Sequence, residues 1–234
     1  MSVKRSWFRR GGVKSRGQSL VEFTVLLPVL LIMISGLIEF GIMLNYYLDV
    51  IDAAREAARY AADTDPIHNP NPPYAALEIS TNPVYKDIQD LAMQSLAAAS
   101  DGRIDWPKMR TMHTDPLDPF CNYVRGDIVI SAFGILNDPS SPPPVVKKRF
   151  PTDSGENGHT LCNHYFSKFT SAEIASKLDA MAPTSGLVLV EIFFDYDQVL
   201  ALPWITAFVP DPIRLHAYTI MPNSAVEPTP TPPP

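Results

Sequence analysis

One apolar stretch limits what this chain can fold into more than any other feature. The 25 residues from Leu20 to Leu44 contain only two charged side chains, Glu22 and Glu39. As a helix that rises about 1.5 Å per residue, the stretch would be roughly 37 Å long, against a bilayer hydrocarbon core of about 30 Å. A membrane-spanning segment of this kind must be helical, because its backbone finds no hydrogen-bond partners in lipid. We therefore predict a transmembrane helix; the alternative is a buried helix of a soluble protein.

The charges on either side of the stretch predict its orientation. Residues 1–17 contain six basic side chains and no acidic one, whereas Asp49 and Asp52 follow the stretch. The positive-inside rule then places the N-terminus in the cytoplasm and the C-terminal domain outside. Because residues 1–17 hold six of the 19 basic residues and none of the 25 acidic ones, the rest of the chain carries a net charge of −12. An acidic exterior argues against nucleic-acid binding, which needs a basic surface.

A short motif stands at the start of the stretch. Gly17 is followed by Q-S-L-V-E-F, which puts the carboxylate of Glu22 five residues after the glycine and inside the apolar segment. No small-residue cleavage site of the ordinary secretory kind follows near Leu44. A carboxylate within a membrane span costs about 2.5–3.5 kcal/mol on insertion scales, so that its presence indicates a function.

With the later elements L-P, I-E-F-G and A-A-R-E-A-A-R-Y-A-A, this motif resembles the N-terminal segment of TadE/TadG-like minor pilins (pseudopilins) of the tight-adherence, or Flp-type, pilus system. The resemblance covers about residues 16–62. It implies that a prepilin peptidase cuts between Gly17 and Gln18 on the cytoplasmic side. It also implies that Glu22, followed by Phe23, is the glutamate at position five of the mature chain.

The resemblance further implies a minor pilin that acts in assembly or adhesion of a pilus. Its partners would be the prepilin peptidase, other pilin subunits, the pilus assembly machinery and the lipid bilayer. It would reside in the cytoplasmic (inner) membrane or be incorporated into an extracellular pilus. A pseudopilin of a type II secretion-like system is a close variant.

The two carboxylates in the stretch each allow two interpretations. Cleavage would expose an α-amino group at Gln18, and Glu22 of a neighbouring subunit could neutralise it and set the register of packing. Alternatively, Glu22 lies at the inner membrane interface or is protonated there. Glu39, near the outer end, either takes part in assembly or lies at the outer interface.

Helical periodicity continues beyond the apolar stretch. Small residues form one stripe at helical spacing: Ala53, Ala54, Ala57, Ala58, Ala61 and Ala62. Alanine is the strongest helix former. We predict one continuous helix from Gln18 to Ala62, whose outer half is a spine that packs on the domain.

The rest of the chain predicts an α+β domain. A proline-rich link at 63–83 leads into a second helix, which starts at Asn82-Pro83 and ends at Ser100-Asp101-Gly102. Three strands are expected at 127–133, 186–197 and 213–221. The predicted fold is a long N-terminal transmembrane and spine helix packed on a small antiparallel sheet, as in pilins.

Two further segments complete the predicted organisation. An insertion at about 137–185 carries a short helix from the capping box at Thr170 to Ala182. An unusually apolar loop at 200–209 either contacts another subunit or folds back over the sheet edge. The chain is therefore expected to consist of a cytoplasmic leader at 1–17, the long helix at 18–62, an extracytoplasmic domain at 63–221 and a disordered Pro/Thr-rich tail at 222–234.

Other chemistry is weakly indicated. Two cysteines on the outer side, Cys121 and Cys162, favour a disulfide that closes a loop of roughly 40 residues and contributes about 3–4 kcal/mol. The alternative is a zinc site with His159 and His164, which lacks the second half of a recognised spacing. No catalytic motif is present, and we expect neither an enzyme nor a metal or cofactor.

A pair of acids, Asp195 and Asp197, shares one face of a predicted strand. Such a pair could bind a cation or act as acid and base, although a solvated strand face is commoner. The alternative function for the whole chain is an uncleaved single-pass membrane protein whose outer domain binds a ligand or carbohydrate. A membrane-anchored hydrolase ranks third.

Overall fold

The computed structural model describes residues 18–67, 82–99, 126–137, 145–179 and 182–228. The elements in chain order are α1 (Gln18–Ala62), α2 (Pro83–Ala99), β1 (Gly126–Leu136), β2 (Val145–Phe150), β3 (His159–Thr160), α3 (Ser171–Lys177), β4 (Ser185–Tyr196), α4 (Pro203–Thr206) and β5 (Ile213–Pro222). Two short 3-10 helices lie at Thr152–Asn157 and Ser224–Val226.

Helix α1 is continuous over 45 residues and passes through Pro28 without a break. This confirms the helix that the sequence predicts from Gln18 to Ala62. Its outer half packs on the domain through the small-residue stripe, of which Ala53, Ala54, Ala57, Ala58 and Ala61 are buried. Because these side chains are small, α2 and the sheet can approach the α1 backbone closely.

Helix α2 begins where the sequence predicts. The side-chain Oδ1 of Asn82 accepts a hydrogen bond from the N–H of Val84 at 3.1 Å, which is the N-cap interaction expected before Pro83. The helix presents Tyr85, Ile88 and Leu96 to the same core as α1.

The strands form an antiparallel sheet in the order β2-β1-β4-β5, and β3 pairs with β1 on the side of β2. The registers place Ile128 opposite Ile192 and Ile192 opposite Ala217, so that one row of side chains crosses three strands. This face of the sheet packs on α1 and α2. The predicted α+β fold, a long helix on a small antiparallel sheet, is confirmed.

The second face of the sheet differs from the prediction. The sequence indicated a polar face on β4, but Leu189, Glu191 and Phe193 are buried there. Residues 145–179 cover this face and supply two strands, β2 and β3, that the sequence did not predict. Helix α3 has the expected capping box between Thr170 and Glu173, but it ends at Lys177, well before Ala182.

A buried carboxylate on β1 holds this insertion against the sheet. Asp127 of β1 accepts hydrogen bonds from the backbone N–H groups of Leu161, Cys162, His164 and Tyr165 at 2.8–3.1 Å. Burial raises the pKa of the Asp127 carboxyl, and these N–H groups oppose the rise. The insertion is therefore tied to the strand through its backbone rather than by apolar contact alone.

Asn223 ties the C-terminal side of the sheet to the end of α1. Its side-chain amide donates to the carbonyl oxygens of Ala61 at 2.7 Å and of Thr64 at 2.9 Å, in the last turn of α1 and just beyond it, where carbonyls lack the regular intrahelical partner. Val226, in the following 3-10 helix, is buried. The chain thus stays packed past the predicted domain boundary at residue 221.

Candidate functional site

The inner half of α1 is an exposed apolar helix. Every described side chain from residue 20 to residue 34 is exposed to solvent. By length and composition, α1 is the one helix among the described residues that could cross a membrane, and only 6% of its most apolar window is buried. A core helix of a soluble protein of this size would be covered by its own domain. In the part of the chain that the structure describes, the domain covers only the outer half.

The residues implicated in processing lie at the free end of this helix. Gly17 is outside the described residues, and Gln18 is the first residue of α1. Glu22 and Phe23 are exposed on the first two turns. Gln18 and Glu22 are four residues apart, so they lie on the same side of the helix.

Glu39 has a different environment from Glu22. It is only 5% exposed, although it lies within the apolar stretch. Its Oε1 accepts hydrogen bonds from the Tyr196 hydroxyl at 2.5 Å and from the Val199 N–H at 2.9 Å, and its Oε2 accepts one from the Leu200 N–H at 2.8 Å. A carboxylate that would be costly in apolar surroundings is thus satisfied by the chain's own domain.

Tyr196 completes the packing around this carboxylate. The ring is buried at the end of β4 and lies 5.3 Å, centroid to centroid, from the ring of Tyr46 on α1. Tyr46 also stacks on Phe194 at 5.9 Å. Burial raises the pKa of Tyr196, and the adjacent Glu39 raises it further, so the phenol stays protonated and donates its hydrogen bond.

The apolar loop at 199–209, which we call the junction loop, lies beside the same part of α1. It includes α4 and connects the end of β4 towards β5. The indole N–H of Trp204 donates to the Ser35 hydroxyl at 3.1 Å. The sequence analysis singled out both the loop and Glu39, but it did not predict their contact. The residues that bond across this junction are 157 to 169 positions apart in the chain.

The residues that the sequence suggested as metal ligands or as an acid-base pair contact other parts of the domain. The ring of His159 lies 5.0 Å from that of Tyr85, and Nδ1 of His164 is 3.2 Å from the Gly126 carbonyl oxygen. Asp195 accepts hydrogen bonds from the Tyr165 hydroxyl at 2.7 Å and from Nε of Arg214 at 3.2 Å. Within the part of the chain that the structure describes, no three His, Cys, Asp or Glu side chains are grouped to hold a metal ion.

Of the remaining predicted residues, Asp197 and Cys162 lie within the described structure. Asp197 follows the last residue of β4, so it does not share a strand face with Asp195 as predicted. Cys162 is partly buried against the core. Cys121 lies outside the described residues, and the disulfide stays a prediction.

Residues 17–59 match the family model described as TadE-like protein. The N-terminal segment of this chain is TadE-like. The match confirms the resemblance that the sequence motif predicts, and it relates this segment to the Tad pilus systems. No curated protein and no solved structure shows significant similarity to the chain.

The TadE-like segment contains both carboxylates of the apolar stretch, and they differ in setting. Glu22 lies on the exposed inner half of α1, whereas Glu39 is held by the domain that follows the segment. The segment also includes most of the small-residue stripe, from Ala53 to Ala58. One helix therefore joins an uncovered apolar half to a half that the domain covers.

Proposed function

We propose that this protein is a minor pilin of the tight-adherence type. In this proposal α1 inserts into the cytoplasmic membrane with the N-terminus inside, a prepilin peptidase removes residues 1–17, and α1 then packs against other pilin subunits. The outer domain takes part in assembly or adhesion of the pilus. The protein is a structural subunit rather than an enzyme.

The exposed apolar half of α1 is the observation that carries this proposal. Soluble monomers rarely expose contiguous apolar patches larger than a few hundred Å². From Leu20 to Glu39 the helix rises roughly 28 Å, close to the thickness of about 30 Å of a hydrocarbon core. Such a surface needs lipid or other apolar helices around it, and a pilin uses both in turn.

The position of Glu22 supports the assembly step. After cleavage, the new α-amino group of Gln18 would lie one helical turn from Glu22. Glu22 is exposed among the described residues, so a neighbouring helix can reach it. A charge pair between neighbouring helices would fix their register, which is an established use of polar groups in apolar interfaces.

The test is the N-terminal sequence and intact mass of the protein, purified from membranes of cells that contain its prepilin peptidase. We expect a mature chain that begins at Gln18. Gly17→Val should block cleavage, because it replaces the glycine directly after which the peptidase is proposed to cut. Gly12→Val, a matched change in the same leader, should leave cleavage intact.

A parent chain that keeps residues 1–17 beside an active peptidase would contradict the proposal. The uncleaved membrane protein with a ligand-binding domain would then be the better interpretation. Equal cleavage of the Gly17→Val and parent chains would likewise show that the motif is not the processing site.

A further inference from the structure

The junction loop has a composition that is unusual for an exposed segment. Residues 199–209 include no charged side chain. Several of its large apolar side chains are exposed, and Phe208 is exposed to 88%. Trp204, although bonded to Ser35, leaves 40% of its surface exposed. A loop of a water-soluble domain would carry polar side chains at such positions.

The loop is held at a defined height along α1. Trp204 bonds to Ser35, and Leu200 bonds to Glu39. Measured from Leu20 along the helix axis, the two α1 residues of these bonds, Ser35 and Glu39, lie at roughly 22 and 28 Å. In a bilayer with a hydrocarbon core of about 30 Å, both heights fall near the outer boundary of the core.

We propose that the junction loop is a second membrane contact, which inserts its apolar side chains into the outer interface of the bilayer beside α1. The inference rests on the proposed membrane insertion of α1, and it adds a lipid-binding surface on the globular domain itself. Trp204 and Phe208 are the anchoring side chains.

Three features favour lipid over another protein subunit as the occupant. The exposed surface of the loop is continuous with the exposed apolar surface of α1, because Trp204 and Ser35 are in contact. Tryptophan is enriched at membrane interfaces, where its ring is buried while its N–H keeps a polar partner. Glu39, the acid of α1 at this height, has both oxygens bonded by the loop and its neighbouring strand, so it needs no water.

The proposed contact has a consequence for the domain. A domain attached to the membrane by one helix alone could swing about the point where that helix emerges. With α1 and the junction loop both in the bilayer, the sheet is held at one angle to the membrane surface. The subunit would then present a constant face to the assembly machinery.

The test uses tryptophan fluorescence of the full chain in nanodiscs of phosphatidylethanolamine and phosphatidylglycerol, with or without bromine on the acyl chains. Trp7→Phe and Trp106→Phe leave Trp204 as the single reporter. In a chain whose three tryptophans are all changed to Phe, Leu30→Trp reports on the span. In the same background Tyr218→Trp, on an exposed position of β5, reports on the domain surface.

We expect bromolipid to quench Trp204 and Leu30→Trp, with blue-shifted emission of Trp204, and to leave Tyr218→Trp unquenched. If bromolipid quenches Leu30→Trp but leaves Trp204 as unquenched as Tyr218→Trp, the loop contact is overturned and the membrane span stands. A Trp204 shielded from aqueous iodide but unquenched by bromolipid would identify a protein contact instead. Absence of quenching at Leu30→Trp would overturn the span, and the loop contact with it.

Discussion

Replacement of Glu39 by glutamine tests how the domain holds the transmembrane helix. Glu39→Gln keeps the size of the side chain but leaves one acceptor oxygen in place of two. The structure supplies three donors to this side chain: the Tyr196 hydroxyl and the N–H groups of Val199 and Leu200. The amide NH₂ of glutamine must face one of these donors, so at least one buried donor loses its acceptor.

The size of the effect follows from those hydrogen bonds. A hydrogen bond to a charged group contributes about 1.5–3 kcal/mol, and a buried donor left without a partner costs about 1–3 kcal/mol. We expect Glu39→Gln to lower the free energy of local opening at the junction by about 2–3 kcal/mol. Glu39→Ala, which leaves all three donors without an acceptor, should cost about 3–5 kcal/mol.

Hydrogen–deuterium exchange of the full chain in nanodiscs measures this opening directly. We expect the amide hydrogens of Val199 and Leu200 to be protected in the parent chain, because they donate to Glu39. A loss of about 2–3 kcal/mol corresponds to exchange that is roughly 30- to 140-fold faster, since each 1.4 kcal/mol is a factor of ten. A peptide that spans both residues is sufficient for the measurement.

Glu22→Gln is the matched control, because it makes the same change on the same helix at an exposed position. It should leave exchange at the junction unchanged. The reasoning would be refuted if folded Glu39→Gln exchanged at Val199 and Leu200 at the parent rate, since those amides would then owe their protection to something other than the carboxylate.

Two changes in the domain test its packing by urea unfolding of the full chain in detergent micelles. Ala57→Leu should overpack the interface of α1 with the domain and destabilise the protein by about 1–3 kcal/mol, whereas Arg55→Ala on the exposed face should change stability by no more than about 0.5 kcal/mol. A parent-like midpoint for Ala57→Leu would show that the stripe is not tightly packed. Asp127→Asn should cost about 2–5 kcal/mol, because the amide cannot accept all the N–H groups that the carboxylate accepts. The exposed Asp63→Asn should be neutral, and equal midpoints for the two variants would contradict the role of Asp127.

The bounds of α1 could be predicted from the sequence because the signals are local. A long apolar run with only two charged residues, followed by an alanine stripe, favours helix at every turn, whatever the rest of the chain does. The Asn82-Pro83 start of α2 is local in the same sense. Strands β1, β4 and β5 were also recognisable from their apolar residues.

Strands β2 and β3 could not be predicted, because pairing rather than local preference creates them. The segment V-V-K-K-R-F has no alternation, and its two lysines are exposed. It forms a strand because the buried β1 offers it backbone partners. The same holds for the second face of β4, which the alternating pattern assigned to solvent and which the insertion buries.

For the candidate site, the sequence alone determined that residues 20–44 form a helix with apolar sides and that two acids interrupt it. Only the tertiary structure decided that these acids differ. Glu22 lies on the half of α1 that is exposed among the described residues, whereas Glu39 meets Tyr196 and the junction loop. The physical reason is that a helix is specified by neighbours three and four residues away, whereas the partners of Glu39 arrive from about 160 residues further along the chain, on a strand end that the sheet registers place there.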